Sequence, residues 1–270
     1  MSTGYHIVVL GSLVPDLLQT LEPVQGPTGP ALKNELMLPA VLDPWAAHAL
    51  FEGAHLAAKH PGSKVWLVSL GPKAKLQQLM MSIAQKVPFE LVAVDGSASG
   101  FTDPFEVAEA LAGAVEKIAG LDRSRLLLFG GCASASRDAG ATVQMVGERL
   151  GITDQFLSAD ELSVAADGTL TVLERVEGGQ YLVSEVTGPP CAIAWATGNL
   201  PEPPNNPQVG MMNMRGIMPA LQKATSVQLG AQGGTTFVGV ELPKQERKTR
   251  IVKDVPIDEM AREIADWIKA

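Results

Sequence analysis

Residues 125–151, RLLLFGGCASASRDAGATVQMVGERLG, place small and polar side chains at the point where a strand gives way to a helix. Residues 126–130 are a short, continuous apolar run closed by glycine, the signature of a buried strand. A loop of small and polar residues follows. A helical pattern then carries Val143, Val146, Gly147 and Leu150 on one face, with Gly151 where a C′ residue belongs. Such a junction suits anion binding. The first-turn N–H groups of a helix lack backbone partners, and its dipole adds partial positive charge. Ser136, Arg137 and Thr142 could add donors. Neither GxxxxGK[ST] nor GxGxxG occurs here, so no phosphate-loop or dinucleotide fingerprint supports the idea. Two readings stand: an anion cradle, or an ordinary loop of an α/β sheet that binds nothing.

Other reactive residue types form no constellation. His48 and His55 share a helix face but lie seven residues apart, about two turns, too far for one metal without outside ligands. Cys132 follows a strand, yet no histidine is close in sequence and GxSxG is absent, so a packed thiol is the simpler reading. Glu174, Glu177 and Glu185 fall on hairpin strands as solvated carboxylates. The pattern is that of a binder of a nucleotide or a partner. Met211, Met212, Met214 and Met218 crowd one short segment, which is either core filling or a pliable contact surface.

The elements that must position these residues alternate. Strands are expected at 6–10, 64–70, 89–94 and 126–130, and helices at 43–60, 73–86, 103–120 and 142–150. Asp43-Pro44 and Asp103-Pro104 pair an N-cap with proline at N1, and Glu106 is placed for a capping box. This alternation predicts an α/β fold: a mostly parallel, doubly wound sheet of adenine-nucleotide-binding type. Ligands of such sheets bind beyond the carboxyl ends of the strands. Residues 13–40 read as a long excursion. After Gly151, antiparallel hairpins are expected at 162–164, 169–176 and 180–186, and a buried strand at 191–197. Residues 198–213 read as extended and exposed, 215–224 as a short helix, 235–240 and 248–252 as strands, and 258–270 as a C-terminal extension helix. That last helix carries Met260, Ile264, Trp267 and Ile268 on one face.

Composition narrows the partners. A net charge of −8 argues against nucleic acid and anionic membrane surfaces. No apolar run approaches the roughly 18 residues of a membrane span, so direct membrane insertion is not expected. The start, MSTGYHIVVLGS, has no basic region before its first strand, and the two cysteines suit a reducing compartment. A cytoplasmic location is the expectation.

Six stretches, in order, give a resemblance: IVVLGS at 7–12, LDPWAAHALFEGAHLAAK at 42–59, VSLGP at 68–72, GGCASASRDAGATVQM at 130–145, ERVEGG at 174–179 and MMNMRGIMPALQKA at 211–224. Together they resemble the β subunit of electron transfer flavoproteins over nearly the whole chain. The resemblance implies an electron carrier without catalytic residues of its own. Such a subunit pairs with an α subunit as a heterodimer. A FAD shared with α shuttles electrons from a donor dehydrogenase to an acceptor oxidoreductase, and β itself holds AMP. Its AMP contacts carry over to Leu10, Asp43, Pro44, Trp45, Ala46 and Leu70, and to Gly131, Cys132, Ser134, Ser136, Arg137, Asp138, Gly140, Ala141 and Thr142. Its partner-recognition loop carries over to Met211, Met212, Met214, Arg215, Ile217 and Met218, with Met214 as the anchor. Residues 1–200 would form the nucleotide-binding domain, and 201–270 the recognition loop and an arm packing on α. Three departures mark this chain: Ser136 and Arg137 replace acidic positions before the retained Asp138, Ala141 replaces a glutamine, and Gly11-Ser12 replaces valine-lysine. The substituted loop favours AMP over a second FAD. The alternative reading is a stand-alone adenine-nucleotide-binding regulatory module of similar fold.

Overall fold

The computed structural model describes residues 4–26, 29–98, 102–136, 140–230, 234, 238–239, 241 and 249–269. In chain order the elements are β1 (His6–Leu10), β2 (Leu13–Pro15), β3 (Pro23–Gly26), β4 (Gly29–Leu32), β5 (Ala40–Leu42), α1 (Pro44–Lys59), β6 (Lys64–Gly71), α2 (Lys73–Ile83), β7 (Glu90–Asp95) and α3 (Pro104–Val115). Then follow β8 (Leu126–Gly131), α4 (Thr142–Arg149), β9 (Gln155–Val164), β10 (Leu170–Arg175), β11 (Tyr181–Val186), β12 (Cys191–Trp195), α5 (Pro207–Gln222), β13 (Thr225–Ser226) and α6 (Ile257–Lys269). Two compact units result, residues 1–239 and 240–270, the second containing α6.

Among the described residues one sheet of nine strands runs in the order β11-β10-β9-β12-β8-β1-β6-β7-β13. Every pairing from β9 through to β13 is parallel, and β9, β10 and β11 pair antiparallel as hairpins. The expected doubly wound α/β fold is what forms. Its central strands are largely apolar because both faces are covered, with His6 and Ser69 as buried polar exceptions. In β1, Ile7 and Val9 join the core beneath α1 and α2, with Leu50, Leu67, Leu79 and Phe129. Val8 and Leu10 point the other way and pack beneath α3 and α4, with Val68, Leu111, Leu128 and Val146. Each such side chain contributes about 1.5–3 kcal/mol on burial.

The excursion at 13–40 contains short pairings: β2 with β5 (Leu13 opposite Leu42) and β3 with β4. One larger revision concerns residues 198–213. Their proline content suggested an extended stretch, yet α5 begins at Pro207, eight residues before the expected helix start. Asn206 caps it, its Oδ1 accepting from the N–H groups of Gln208 (3.0 Å) and Val209 (3.4 Å). This is the same cap-then-proline device that opens α1 and α3. Gly210, Gly216 and Pro219 blurred the helical pattern that follows. Of the two further strands expected, residues 235–237, 240 and 248 lie outside the described residues, and residues 249–252 form no strand. Among the described residues, no helix is long and apolar enough to cross a membrane.

Candidate functional site

Because β1 sits between β6 and β8, the chain leaves β1 toward one edge and returns past it on the other side. The strand order therefore reverses at β1 and β8, and a crevice opens there at the carboxyl ends. Leu10 and Gly11, Leu70, and Gly131 bring the ends of β1, β6 and β8 to it. One wall is apolar, made by Leu10, Leu13, Leu70, Ala98, Val107 and Leu111. The polar lining of the crevice is Ser12, Asp43, Ser134, Ser136, Gly140 and Thr142, and Ala46, Ala133 and Val143 complete it.

Asp43 organises the polar lining. It is the N-cap of α1, only 2 % exposed, with Oδ1 accepting from the Trp45 N–H at 3.1 Å. Its Oδ2 accepts from the Ser134 hydroxyl (3.1 Å) and the Ala135 N–H (2.9 Å) in the loop after β8. Ser134 Oγ in turn lies 2.7 Å from Ser136 Oγ and accepts from the Ser136 N–H. Burial pushes the Asp43 carboxyl up from the ordinary carboxylate range, and the donors from Ala135, Ser134, Trp45 and Ala46 pull it back. The carboxylate is thus already satisfied by protein donors.

The helix that follows the loop is capped differently. Ala141, at the N-cap of α4, supplies no side-chain acceptor, whereas α1 is capped by the Asp43 side chain. Close backbone approach explains the glycines. A Cβ on Gly131 would sit 2.5 Å from Trp45 Cβ, and one on Gly140 would sit 1.7 Å from the Cys132 carbonyl oxygen. The enclosed space is about 90 Å³, below the roughly 300–1,000 Å³ of ordinary small-molecule sites.

Of the residues expected at a nucleotide, Leu10, Asp43, Ala46, Leu70, Gly131, Ser134, Ser136, Gly140 and Thr142 border this one crevice. Pro44, Trp45, Cys132 and Ala141 lie beside it without lining it; Trp45 backs onto Gly131, and the Cys132 N–H donates to the Trp195 carbonyl at 2.8 Å. Arg137 and Asp138 lie outside the described residues. Val107, Leu111 and Ala98 were missed, because which helix face meets the crevice depends on the sheet order.

The expected recognition residues fall on α5. Met211, Met212, Arg215 and Met218 are exposed. Met214 is half-buried against the core, and Ile217 is buried within it, so Ile217 offers no surface to a partner. Asn213 fixes the orientation of α5. Its Nδ2 donates to the carbonyls of Ala84 and Val87, both at 2.8 Å, and its Oδ1 accepts from the Phe89 N–H at 3.3 Å.

The model of the electron transfer flavoprotein domain matches residues 34–227, a span that takes in all of α5 and the crevice lining from Asp43 onward, while Leu10, Gly11, Ser12 and Leu13 precede it. The chain belongs to the electron transfer flavoprotein domain family. No curated protein is matched by the chain. Within this family, the crevice at the carboxyl ends of β1, β6 and β8 and the methionine-bearing surface of α5 are the two features that stand out on the first compact unit.

Proposed function

We propose that this chain is the β subunit of an electron transfer flavoprotein, an electron carrier with no catalytic residue of its own. It pairs with an α subunit, takes electrons from a donor dehydrogenase and passes them to an acceptor oxidoreductase. The observation that carries the subunit assignment is α6: Ile257, Met260, Ile264, Trp267 and Ile268 are all exposed on an amphipathic helix in which no residue is buried. A helix of that composition calls for another chain to cover its apolar face.

AMP is the proposed occupant of the crevice. The apolar wall at Leu10, Leu70, Val107 and Leu111 suits an adenine ring, and the α4 end at Gly140 and Thr142 suits a phosphate. FAD, shared with the α subunit, supplies the redox chemistry when bound. The part left to this chain is to shape the interface and to present Met211, Met212 and Met218 as a pliable docking surface. The departures in the loop, with Ala141 in place of a glutamine, favour AMP here over a second flavin.

The test is to co-express the chain with an α-type subunit, purify the pair, denature it and quantify what is released. One flavin and one AMP per pair is the expected result. Two flavins, or one flavin without AMP, would overturn the nucleotide assignment, and failure to form a pair would overturn the subunit assignment.

A further inference from the structure

We infer that Asp43 is a positioning residue for the crevice, latching the loop after β8 to the start of α1 and so setting the mouth through which a nucleotide enters. The inference rests on reading the crevice as a nucleotide site. Three segments meet at this one residue. Its own N–H donates to the Ser12 carbonyl at 2.9 Å, just past β1. Its Oδ1 serves the first turn of α1, and its Oδ2 takes both the Ser134 hydroxyl and the Ala135 N–H. The latch extends outward, since Ser134 holds Ser136 at the exposed rim.

The division of labour between the two oxygens matters. Hydrogen bonds to an ionised group are roughly twice as strong as neutral ones, so two of them on Oδ2 are a substantial restraint on an otherwise surface loop. A carboxylate whose oxygens are already filled by donors offers nothing to a phosphate, and its charge disfavours a second anion beside it. Asp43 therefore acts through the loop and leaves the phosphate to the α4 end of the crevice.

The substitution Asp43→Asn separates the latch from helix capping. Asn and Asp are nearly equal as N-caps, so α1 stays closed, but an amide nitrogen in place of Oδ2 cannot accept the Ala135 N–H. On the full chain freed of nucleotide, three quantities are measured: melting temperature, hydrogen exchange at the Ala135 amide, and AMP affinity by calorimetry. Loss of one charge-assisted bond should leave melting near the wild-type value, speed Ala135 exchange by about tenfold or more, and weaken AMP by about tenfold. Ser134→Ala, which removes one of the two loop bonds, should fall between. Unchanged Ala135 exchange in the Asn variant overturns the latch. Faster exchange with unchanged AMP affinity overturns the positioning role. A wild-type chain that takes up no AMP at all rejects the nucleotide and the positioning role together, and Ala135 exchange then still reports whether Asp43 holds the loop.

Discussion

The Asp160 carboxylate, 2 % exposed, is gripped by the Arg175 guanidinium through two parallel bonds, Nε to Oδ2 at 2.9 Å and Nη2 to Oδ1 at 2.8 Å. The Tyr181 hydroxyl adds a third bond to Oδ2 at 3.1 Å, and Arg175 Nη2 also reaches Thr197 Oγ1 at 3.3 Å. Asp160 stands at the register shift between β9 and β10, two residues after Ser158, whose φ is 53°. One buried carboxylate therefore joins the three hairpin strands to the segment that follows β12.

This arrangement predicts an asymmetric response. Arg175→Ala leaves a buried carboxylate with a single phenol partner and should cost about 2 kcal/mol or more, because a charged group is left under-satisfied. Tyr181→Phe removes one neutral, half-exposed donor and should cost clearly less. Urea unfolding of the two variants checks the order; equal costs would show that the guanidinium is not the principal partner.

Gly140 permits a contact that no other residue can make. Its Cβ position lies 1.7 Å from the Cys132 carbonyl oxygen and 2.1 Å from its carbon, both backbone atoms that cannot rotate away. Gly140→Ala must therefore shift the loop beside Thr142. We expect AMP retention to fall by about tenfold or more, while the melting temperature falls by only a few degrees, since surface loops lie at the low-stability end of a fold. A variant that keeps its nucleotide would show that this close approach does not shape the site.

His6 supplies a pH dependence. Its Nδ1 accepts from the Asp122 N–H at 2.8 Å, so the native ring is neutral, and the ring sits edge-on to Trp66 at 5.2 Å. Burial, then the nearby Arg125, hold its pKa below the ordinary value, with Asp122 opposing and Lys64 adding slightly. The native state thus resists a proton that the unfolded chain accepts. The stabilisation is full above about pH 6.5 and is lost as pH falls below it toward the depressed native value. Comparing urea midpoints at pH 7.5 and 5.5, the wild type should lose more than His6→Asn, which keeps an acceptor for Asp122 but does not titrate. Parallel losses in both proteins would remove His6 as the cause.

Much of the site was legible because glycines close the strands. Leu10-Gly11, Leu70-Gly71 and Gly130-Gly131 each mark a strand end, and in a parallel sheet the carboxyl ends cluster on one side. Asp43 was legible as a cap, from Asp followed by Pro, but its second oxygen reaches Ser134 and Ala135 some ninety residues on. No local pattern encodes a contact of that range. Val107 and Leu111 were hidden for a related reason. They face the crevice only because the chain crosses back past β1 between β7 and β8, which fixes the face α3 covers. On α5, Ile217 and the methionines share one helical segment, and only packing decides that Ile217 turns inward while Met211 and Met212 face out.

Exposure on α5 moves the docking expectation outward from Met214. Met211 and Met212 are 64 % and 54 % exposed, whereas Met214 packs partly on the core. Replacing both Met211 and Met212 by alanine should slow reduction by the donor dehydrogenase about tenfold or more, as loss of an interface anchor of about 2 kcal/mol does. Stability and flavin content should not change. Met214→Ala, by contrast, should lower stability as well, through a small cavity. Donor-dependent rates left intact in the double variant would take the docking role away from α5.

The C-terminal helix gives the most direct test of assembly. Ile257, Met260, Ile264, Trp267 and Ile268 recur at three- and four-residue spacing, with exposures from 41 % to 81 %, and Asp258, Glu259, Arg262, Glu263, Asp266 and Lys269 occupy the intervening positions. A helix of 13 residues is marginal in water on its own propensity, so its stability must come from covering the apolar face. Arg250 reaches Glu263 at 2.7 Å, but both lie near solvent, and a pair of that kind adds less than about 1 kcal/mol. Burial of the five apolar side chains, each contributing about 1.5–3 kcal/mol, is the larger reserve. An α-type subunit covering this face should form an interface of more than about 1,000 Å². Trp267→Asp and Ile264→Asp place a carboxylate in the middle of the covered stripe, where it would be desolvated without a partner. Each should abolish co-purification with the α-type subunit while leaving the melting temperature of the isolated chain unchanged, since neither side chain is buried in it. Size-exclusion chromatography of the co-expressed proteins decides the matter: an aspartate variant that still elutes as a stable pair means α6 is not the arm that holds the two chains together.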